Sequence, residues 1–438
     1  MNKILKYIFS AAQVVLLSSC TSLFKPLDEN VIDESFVQNH PANAEGLLLT
    51  AYDIFNDMHC WTNQNSLYYL SVASDDAVSN KNNAFRRMVT GELSSSNNPI
   101  GNTRWNESFK GVTYANKLLS MVDKVKWSED NEAVDKLYRN RITGEALALR
   151  SALHMTALEC FAGEGADGKM YGVPYFDKFL TESTEFNDYQ RLLFDDCVEK
   201  LNADFEKAFE LLPFVYSDNP ADIPAKDSKF DPKDYMRVNG SKYNNRIYGQ
   251  IVRALQARLM LFAGSEAYTT SPEKSREYNE KAAGYANELL KSKNYALATD
   301  GLEFYNADDD LKNPEFVWRM SKLEPGATPE NENFMPSLNG KGTVNPSQNF
   351  VDAFPMKNGY PITESESHYD EDTPYLDRDP RLGKFVIYHG CNYKGTTVNL
   401  SSDNALDGIG KVFDKSTLTG YYLKKLLRND SQISENSI

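Results

Sequence analysis

The clearest reactive group in the sequence is the cysteine thiol that ends Leu17-Ser18-Ser19-Cys20. An apolar run from Tyr7 to Leu17 precedes it, and Lys3 and Lys6 precede that run. A basic start, a short apolar stretch and small residues before a cysteine are typical of a bacterial lipoprotein signal peptide, which residues 1–19 would form. An ordinary secretory signal followed by an unrelated cysteine is the alternative.

Cleavage before Cys20 would make that residue the acylated N-terminus of the mature chain, with residues 20–40 as a lipidated tether. Each buried methylene of an acyl chain adds about 0.8 kcal/mol of membrane affinity, so several chains give a durable anchor. No later stretch of the sequence is long and apolar enough to cross about 30 Å of hydrocarbon. The rest of the chain is therefore expected to be soluble.

Three charged motifs could do chemistry, and each has a structural alternative. Glu145 and Arg150 could be a catalytic pair, but their spacing of five does not share a helix face, so we interpret them as a buried polar pair that fixes helix packing. Arg378-Asp379-Pro380-Arg381 could bind an anion, but it is more typical of a turn with local ion pairs. Asp308-Asp309-Asp310 lacks the spacing and the glycine of a calcium loop, which favours a solvated acidic turn.

Motifs for nucleophilic and metal-dependent catalysis are absent from the sequence. It has no HExxH, no CxxC pair, no phosphate-cradling glycine loop and no nucleophile elbow. We therefore predict no catalytic residue, no metal site and no cofactor. A pair of carboxylates for glycoside hydrolysis stays open, because 62 acidic residues can supply such a pair in any fold.

Two polar segments contain aromatic residues that could contact a ligand. Sugars need aromatic faces for their C–H groups and amides or charged groups for their hydroxyls. Phe85 lies between Asn82 and Arg86, and Phe334 follows Asn333. Because the surrounding residues are polar, we expect neither ring to belong to the core. These five residues are the candidate ligand-binding residues.

The net charge of −15 argues against nucleic acid as a partner. Loss of residues 1–19 would remove two lysines and no acidic residue, which takes the net charge to −17. Such a surface repels phosphate groups, and no basic cluster in the sequence offsets it. Hydrophobic residues make up 41% of the chain and charged residues 25%, as in ordinary globular proteins.

Helical periodicity dominates the first two-thirds of the chain. Apolar residues recur every three or four positions, which predicts helices at about 43–56, 105–124, 132–161, 191–212, 246–264 and 275–293. Residues 214–244 are predicted as loop. Helix pairs joined by loops predict a mostly α fold, with a tetratricopeptide-like helix-pair solenoid over residues 41–300. Residues 301–438 are expected to form a loop-rich region with short strands, where binding surfaces are common.

The ordered motifs resemble those of the SusD/RagB family of outer-membrane nutrient-binding lipoproteins. The resemblance runs from Cys20 nearly to the last residue, and each segment is short, but their order and spacing together are specific. The segments are Pro26-Leu27-Asp28, Ala51-Tyr52, Trp105 with Tyr114-Ala115-Asn116, Gly144-Glu145-Ala146, Arg150-Ser151-Ala152, Tyr171-Gly172-Val173-Pro174, a helix with Leu201, Asp204, Ala208, Leu212 and Pro213, Asn245-Arg246 with Ala254, Ala257 and Arg258, Asn345-Pro346-Ser347 to Phe354, Asn358-Gly359, Arg378-Asp379-Pro380-Arg381 and Thr419-Gly420-Tyr421.

The resemblance implies a lipid-anchored protein of the outer membrane that faces the cell exterior. It would bind an oligosaccharide or polysaccharide and deliver it to a TonB-dependent SusC-like transporter, without catalysis. Members of the family usually continue past the Thr-Gly-Tyr segment, so residues 301–438 are expected to be an incomplete C-terminal region. A peptide-binding relative, a surface glycoside hydrolase and a structural repeat adaptor are the alternatives.

We predict that Cys20 carries the lipid. Bacteria that express the chain and are fed an alkyne-bearing fatty acid should label the wild-type protein, because acyl transfer follows recognition of the signal peptide. Cys20→Ala should abolish the label and release the protein into the soluble fraction. Cys391→Ala is the matched control and should label as the wild type does. Undiminished labelling of Cys20→Ala would place the modification elsewhere.

Overall fold

The computed structural model describes residues 34–59, 67–94, 98–269, 271–292, 295–296, 315–318, 329–425 and 427. The α-helices are α1 (Glu34–Asn39), α2 (Pro41–His59), α3 (Ala84–Arg87), α4 (Pro99–Leu119), α5 (Glu132–Phe161), α6 (Phe194–Leu211), α7 (Pro232–Asn239), α8 (Gly249–Ala263), α9 (Pro272–Lys291), α10 (Pro329–Asn333), α11 (Gln348–Asp352) and α12 (Pro380–Phe385). The strands are β1 (Ala77–Ser79), β2 (Gly163–Glu164), β3 (Met170–Tyr171), β4 (Val344–Pro346), β5 (Val386–Ile387), β6 (Asn392–Tyr393), β7 (Thr396–Thr397) and β8 (Tyr422–Leu423). Cys20 and Asp308-Asp309-Asp310 lie outside the described residues.

Helix α5 is the centre of the scaffold. Its observed bounds are those predicted from the sequence, because the Asn131 side chain caps it by accepting hydrogen bonds from the backbone N–H groups of Ala133 and Val134. Every residue from Gly144 to Leu158 is buried. A helix enclosed on all sides in this way has to satisfy its polar side chains within the protein.

Packed helices surround α5, and its sequence neighbours α4 and α6 run antiparallel to it, as the helix-pair prediction requires. Helices α4 and α6 pack along it, α2 packs against both α4 and α5, and α8 packs against α6 and α9. One large apolar core fills the space between these helices. The prediction of a mostly α fold built from helix pairs is confirmed.

Two predicted boundaries differ from the structure for local reasons. Helix α4 begins six residues before the predicted Trp105, because Asn98 caps it and Pro99 fits its first turn. The predicted loop 214–244 contains α7, which is capped by Asp231 and packs on the start of α5. Helix α7 has eight residues, too few for its apolar period to be recognised.

The strands form four separate two-stranded antiparallel sheets. Their pairs are β1 with β4, β2 with β3, β5 with β8 and β6 with β7. Strands of two or three residues with satellite clusters of apolar side chains match the loop-rich region expected after the helices. The β1–β4 pair joins this region to the helical part, since β1 lies before α3 and β4 lies far beyond α9.

Arg150 is the hub of one buried polar network. Its guanidinium donates to both carboxylate oxygens of Asp204, at 2.7 Å each, and to the side-chain oxygen of Asn116 at 2.9 Å. The hydroxyl of Tyr175 donates to the same carboxylate at 2.5 Å. This cluster ties α4, α5 and α6 together with the segment after β3.

Glu145 is the hub of a second network. Its carboxylate accepts hydrogen bonds from the hydroxyls of Tyr52 at 2.8 Å and Tyr216 at 3.2 Å. The guanidinium nitrogens of Arg141 and Arg246 lie 3.4 Å and 3.5 Å from it. The prediction that Glu145 pairs with Arg150 is therefore wrong, because the two side chains leave α5 toward different helices. Their structural role in packing is as predicted.

We predict that removing one partner of the Arg150–Asp204 pair destabilises the fold. Arg150→Met should lower the free energy of unfolding by about 3–5 kcal/mol, because it leaves the Asp204 carboxylate buried without its cation. Lys281→Met, which breaks an exposed pair with Glu277 on α9, is the matched control and should cost less than about 1 kcal/mol. Urea unfolding curves measure both; equal losses for the two variants would contradict the buried network.

His154 on α5 is held in its neutral form. One ring nitrogen lies 2.9 Å from the carbonyl oxygen of Arg150, and the other accepts the backbone N–H of Phe176 at 3.0 Å. Burial lowers the pKa of His154 from 6.5 to about 4. The folded state therefore binds fewer protons than the unfolded state between these two values.

This shift predicts a loss of stability in mild acid. The contribution of His154 is complete above about pH 6.5 and is lost as the pH falls toward about 4, at about 1.4 kcal/mol per pH unit. His154→Gln should flatten the pH dependence of the unfolding free energy by up to that slope. Urea unfolding at pH 7, 6 and 5 measures it, and an unchanged slope in the variant would exclude His154 as the titrating group.

Candidate functional site

The two segments predicted to bind a ligand lie next to each other in the fold. Strand β1 pairs with β4 in the register Ala77 with Pro346 and Ser79 with Val344. The Asn80 side-chain amide donates to the carbonyl oxygens of Lys341 and Gly342, at 2.9 Å and 2.8 Å. We call this contact between the segments 77–86 and 329–346 the β1–β4 junction.

The two predicted aromatic platforms are buried. Phe85 and Phe334 are each 1% exposed. Phe85 packs in a small core with Val72, Ala77 and Val344, because Asn83 caps α3 and turns the first residues of that helix inward. The expectation that these rings lie outside the core is therefore wrong. Polar sequence neighbours do not keep a ring in solvent when a distant strand covers it.

The polar residues of the predicted set divide between structure and surface. Asn333 is fully buried, where its amide donates to the Pro329 carbonyl at 2.9 Å and its oxygen accepts the Val344 N–H at 3.2 Å. Arg86 is partly buried and donates to the backbone carbonyl of Ser79 at 3.1 Å. Asn82 is exposed. Of the five predicted residues, Asn82 and Arg86 remain accessible to a ligand.

A π-helical turn from Met88 to Glu92 follows α3. Gly91 within it has a φ of 86°, which glycine adopts without steric cost. The turn leaves the side chains of Val89 and Leu93 exposed, at 54% and 50%. Turns of this kind occur often beside functional sites, because they aim side chains away from the regular helical path.

An open cavity of about 560 Å³ adjoins this turn, within the range of small-ligand sites. It is formed where the C-terminal end of α5 meets the start of α4, the exposed face of α8 and the π-helical turn. Its lining residues are Leu70, Met88, Asn98, Gly101, Glu159, Cys160, Phe161 and Arg258. No sequence motif marks these residues as a set, although Glu159 to Phe161 end a predicted helix immediately before a glycine-rich break.

An aromatic ring and an ion pair define the cavity wall. Phe161 is held by an edge contact from Trp105, with ring centroids 5.0 Å apart and planes at 84°. Arg258 donates to both carboxylate oxygens of Glu159, at 3.0 Å and 2.9 Å. Burial raises the pKa of Glu159 against the opposing effect of this guanidinium. Apolar surface beside a carboxylate, a guanidinium and the Asn98 amide suits a ligand with both C–H faces and hydroxyl groups.

The cavity does not have the layout of a hydrolytic site. Glycoside hydrolysis by the usual route needs two carboxyl groups about 5–9.5 Å apart across the scissile bond. Among the described residues that line the cavity, Glu159 alone carries a carboxylate, and Arg258 engages both of its oxygens. The arrangement is suited to binding.

Within the described part of the chain, no group of three or more histidine, cysteine, aspartate or glutamate residues could hold a metal ion.

The segment Arg378-Asp379-Pro380-Arg381 forms the turn predicted from the sequence. Asp379 caps α12 and pairs with Arg381 at 2.6 Å, and Arg378 donates to the carbonyls of Val351 and Phe354.

Across the helices of the described residues, none combines the length and apolar character needed to cross a bilayer.

Family models match the two ends of the chain. Residues 29–228 match a SusD-like model described as "Starch-binding associating with outer membrane", and residues 314–438 match the SusD family model SusD_RagB. The chain belongs to the SusD/RagB family. The family is one of carbohydrate-binding proteins that are not catalysts, which removes the glycoside hydrolase alternative but not the peptide-binding one. No curated protein matches the sequence significantly.

Solved structures share the fold. A SusD-like carbohydrate-binding protein from Bacteroides fragilis is 19% identical, with a TM-score of 0.65 over 91% of this chain and 70% of that chain. A second SusD-like protein from the same organism is 20% identical, with a TM-score of 0.66 over 93% and 72%. A laminarin-binding SusD-like protein is 15% identical, with a TM-score of 0.58 over 89% and 73%. The helix-pair architecture is therefore that of SusD-like proteins.

The motifs that carry the SusD/RagB resemblance belong mainly to the scaffold. Tyr52, Glu145 and Arg246 meet in one buried network, and Arg150 and Asp204 meet in the other. These positions hold helices together and do not line the cavity. Arg258 is different, because it belongs both to a motif and to the cavity wall.

Proposed function

We propose that this SusD-like protein is an outer-membrane surface lipoprotein that binds oligosaccharide or polysaccharide nutrients. It is anchored through Cys20 and delivers its ligand to a TonB-dependent SusC-like transporter. The observation that carries the ligand class is the open cavity at the end of α5, which combines Phe161 with the Asn98 amide and the Glu159–Arg258 pair. The family supplies the expectation of carbohydrate.

The cavity wall supports capture of a ligand with little rearrangement. Phe161 and Glu159 lie at the end of α5, directly after its buried stretch, and Arg258 lies on α8, which packs against α6 and α9. Binding groups on rigid elements lose little conformational entropy when a ligand arrives. Arg258 is exposed while its geometry is fixed by Glu159, so it can present N–H donors to sugar hydroxyls.

The anchor and the transporter rest on other observations. The Leu17-Ser18-Ser19-Cys20 pattern supports lipidation of the mature N-terminus. The description of the matched family model supports association with the outer membrane. A lipid-anchored binder has no route of its own for moving a ligand across that membrane, so a neighbouring channel is the expected acceptor.

Calorimetric titration of the chain from residue 21 onward, without the lipid, tests the ligand class. The panel is laminarin, starch, xylan, pectin and dextran fragments, together with a mixed peptide pool. We expect binding to at least one polysaccharide. Arg258→Ala should weaken that binding about tenfold, because a charge-assisted hydrogen bond to the ligand is lost. Lys281→Met, remote from the cavity on α9, should bind as the wild type does.

One result would overturn the ligand class, and another would overturn the location of the site. Binding of peptides with silence on every glycan would make the chain a peptide-capturing relative. Glycan binding that is indifferent to Arg258→Ala would move the ligand away from the cavity, while leaving the carbohydrate class intact.

A further inference from the structure

Phe413 is the most exposed large apolar side chain in the described part of the chain. It is 88% exposed, and Leu406, Ile409 and Leu418 on the same loop are also exposed. Full exposure of a phenylalanine forgoes the favourable burial that such a ring normally gains on folding. The ring is therefore available for contact with something outside the chain.

The loop that carries Phe413 is held in one shape by its own hydrogen bonds. The Ser416 hydroxyl donates to the carbonyl oxygen of Leu406 at 2.6 Å and accepts the N–H of Val412 at 2.7 Å. The N–H of Gly410 donates to the Thr417 carbonyl at 2.9 Å. Compact loops closed in this way are often functional. Phe413 is thus presented to solvent by an ordered loop.

The loop rests on the β1–β4 junction. The Lys81 ammonium donates to the carbonyl oxygen of Asp414 at 2.6 Å, and the N–H of Leu418 donates to the side-chain oxygen of Asn345 at 3.0 Å. Phe413 and Asn82 are the immediate sequence neighbours of the two residues joined by the first contact. The loop that carries Phe413 and the segment that carries Asn82 are therefore in direct contact.

The charged groups near the Lys81 ammonium, where the loop is held, are of both signs. Lys81 faces Asp414 and Glu332 as well as Lys341 and Lys415. Such a mixture offers donors and acceptors without a strong field of one sign, which does not favour an anionic lipid surface or a nucleic acid. An exposed ring beside amide, ammonium and carbonyl groups suits a neutral polyhydroxylated ligand, whose C–H face covers the ring.

We propose that Phe413, with Asn82 and Lys81 beside it, forms a second glycan-contact surface of the protein. It is separate from the cavity, because no residue of the loop lines that cavity. The inference rests on the proposed carbohydrate function and adds the place where an aromatic ring contacts the glycan. The aromatic residue that was expected within 82–86 comes instead from a loop more than three hundred positions later in the sequence.

Affinity gel electrophoresis against the polysaccharide bound in calorimetry tests this surface. Phe413→Ala should weaken binding of that polysaccharide about tenfold, because the ring loses its apolar contact with the sugar. Phe413→Trp should bind at least as well as the wild type. Phe186→Ala is the matched control, since Phe186 is 52% exposed on a different segment, and it should bind normally. Thermal melts of the three variants should match the wild type.

The outcomes separate this inference from the proposed function. Unchanged binding by Phe413→Ala would overturn the second surface, while the cavity and the carbohydrate class would stand. Unchanged glycan binding together with loss of self-association in sedimentation would assign the loop to contact with another copy of the chain. A wild-type protein that binds no polysaccharide would overturn the proposed function and this surface with it.

Discussion

Charges buried on one helix constrain how the scaffold can assemble. Glu145 and Arg150 lie within the fifteen-residue stretch of α5 that is closed to water, and a buried charge without partners costs several kcal/mol. Glu145 finds its partners on α2, on α5 itself, at Tyr216 and just before α8, and Arg150 finds them on α4, on α6 and in the segment after β3. Sliding a neighbouring helix by one turn, about 5.4 Å, would separate these groups from their partners. The networks therefore specify the packing as well as contributing to it.

The fixed helices determine where ligand contacts can form. The C-terminal end of α5 emerges beside the start of α4 and the face of α8, so Phe161, Glu159 and Arg258 meet without needing a loop to bring them together. The β1–β4 pair adds a second fixed point, because it holds the segment before α3 against the loop-rich region. The packed helices thus fix the positions of the cavity residues, and the loops supply further exposed side chains.

The long helices follow from local sequence patterns, whereas the burial of Phe85 and Phe334 does not. The bounds of α5 were predicted from its apolar period, and the Asn131 cap seen in the structure is an equally local feature. Phe85 and Phe334 were misplaced because the residues that bury them come from β4 and from the last described strands, far away in the sequence. Phe413 was overlooked for the opposite reason: nothing next to it marks it as exposed. Burial of a loop aromatic depends on long-range contacts that a window of neighbouring residues does not contain.

By itself, the sequence determined the lipoprotein signal pattern, the order of the helices and the family to which the chain belongs. All of these can be recognised from residues that are close together in the sequence: a cysteine after small residues, an apolar period of three to four residues, and ordered short motifs. Tertiary structure alone decided which partners Glu145 and Arg150 take, that β1 meets β4, and which aromatic rings face water. The physical reason is that desolvation and pairing of a side chain are set by everything packed around it, and most of those neighbours are distant along the chain.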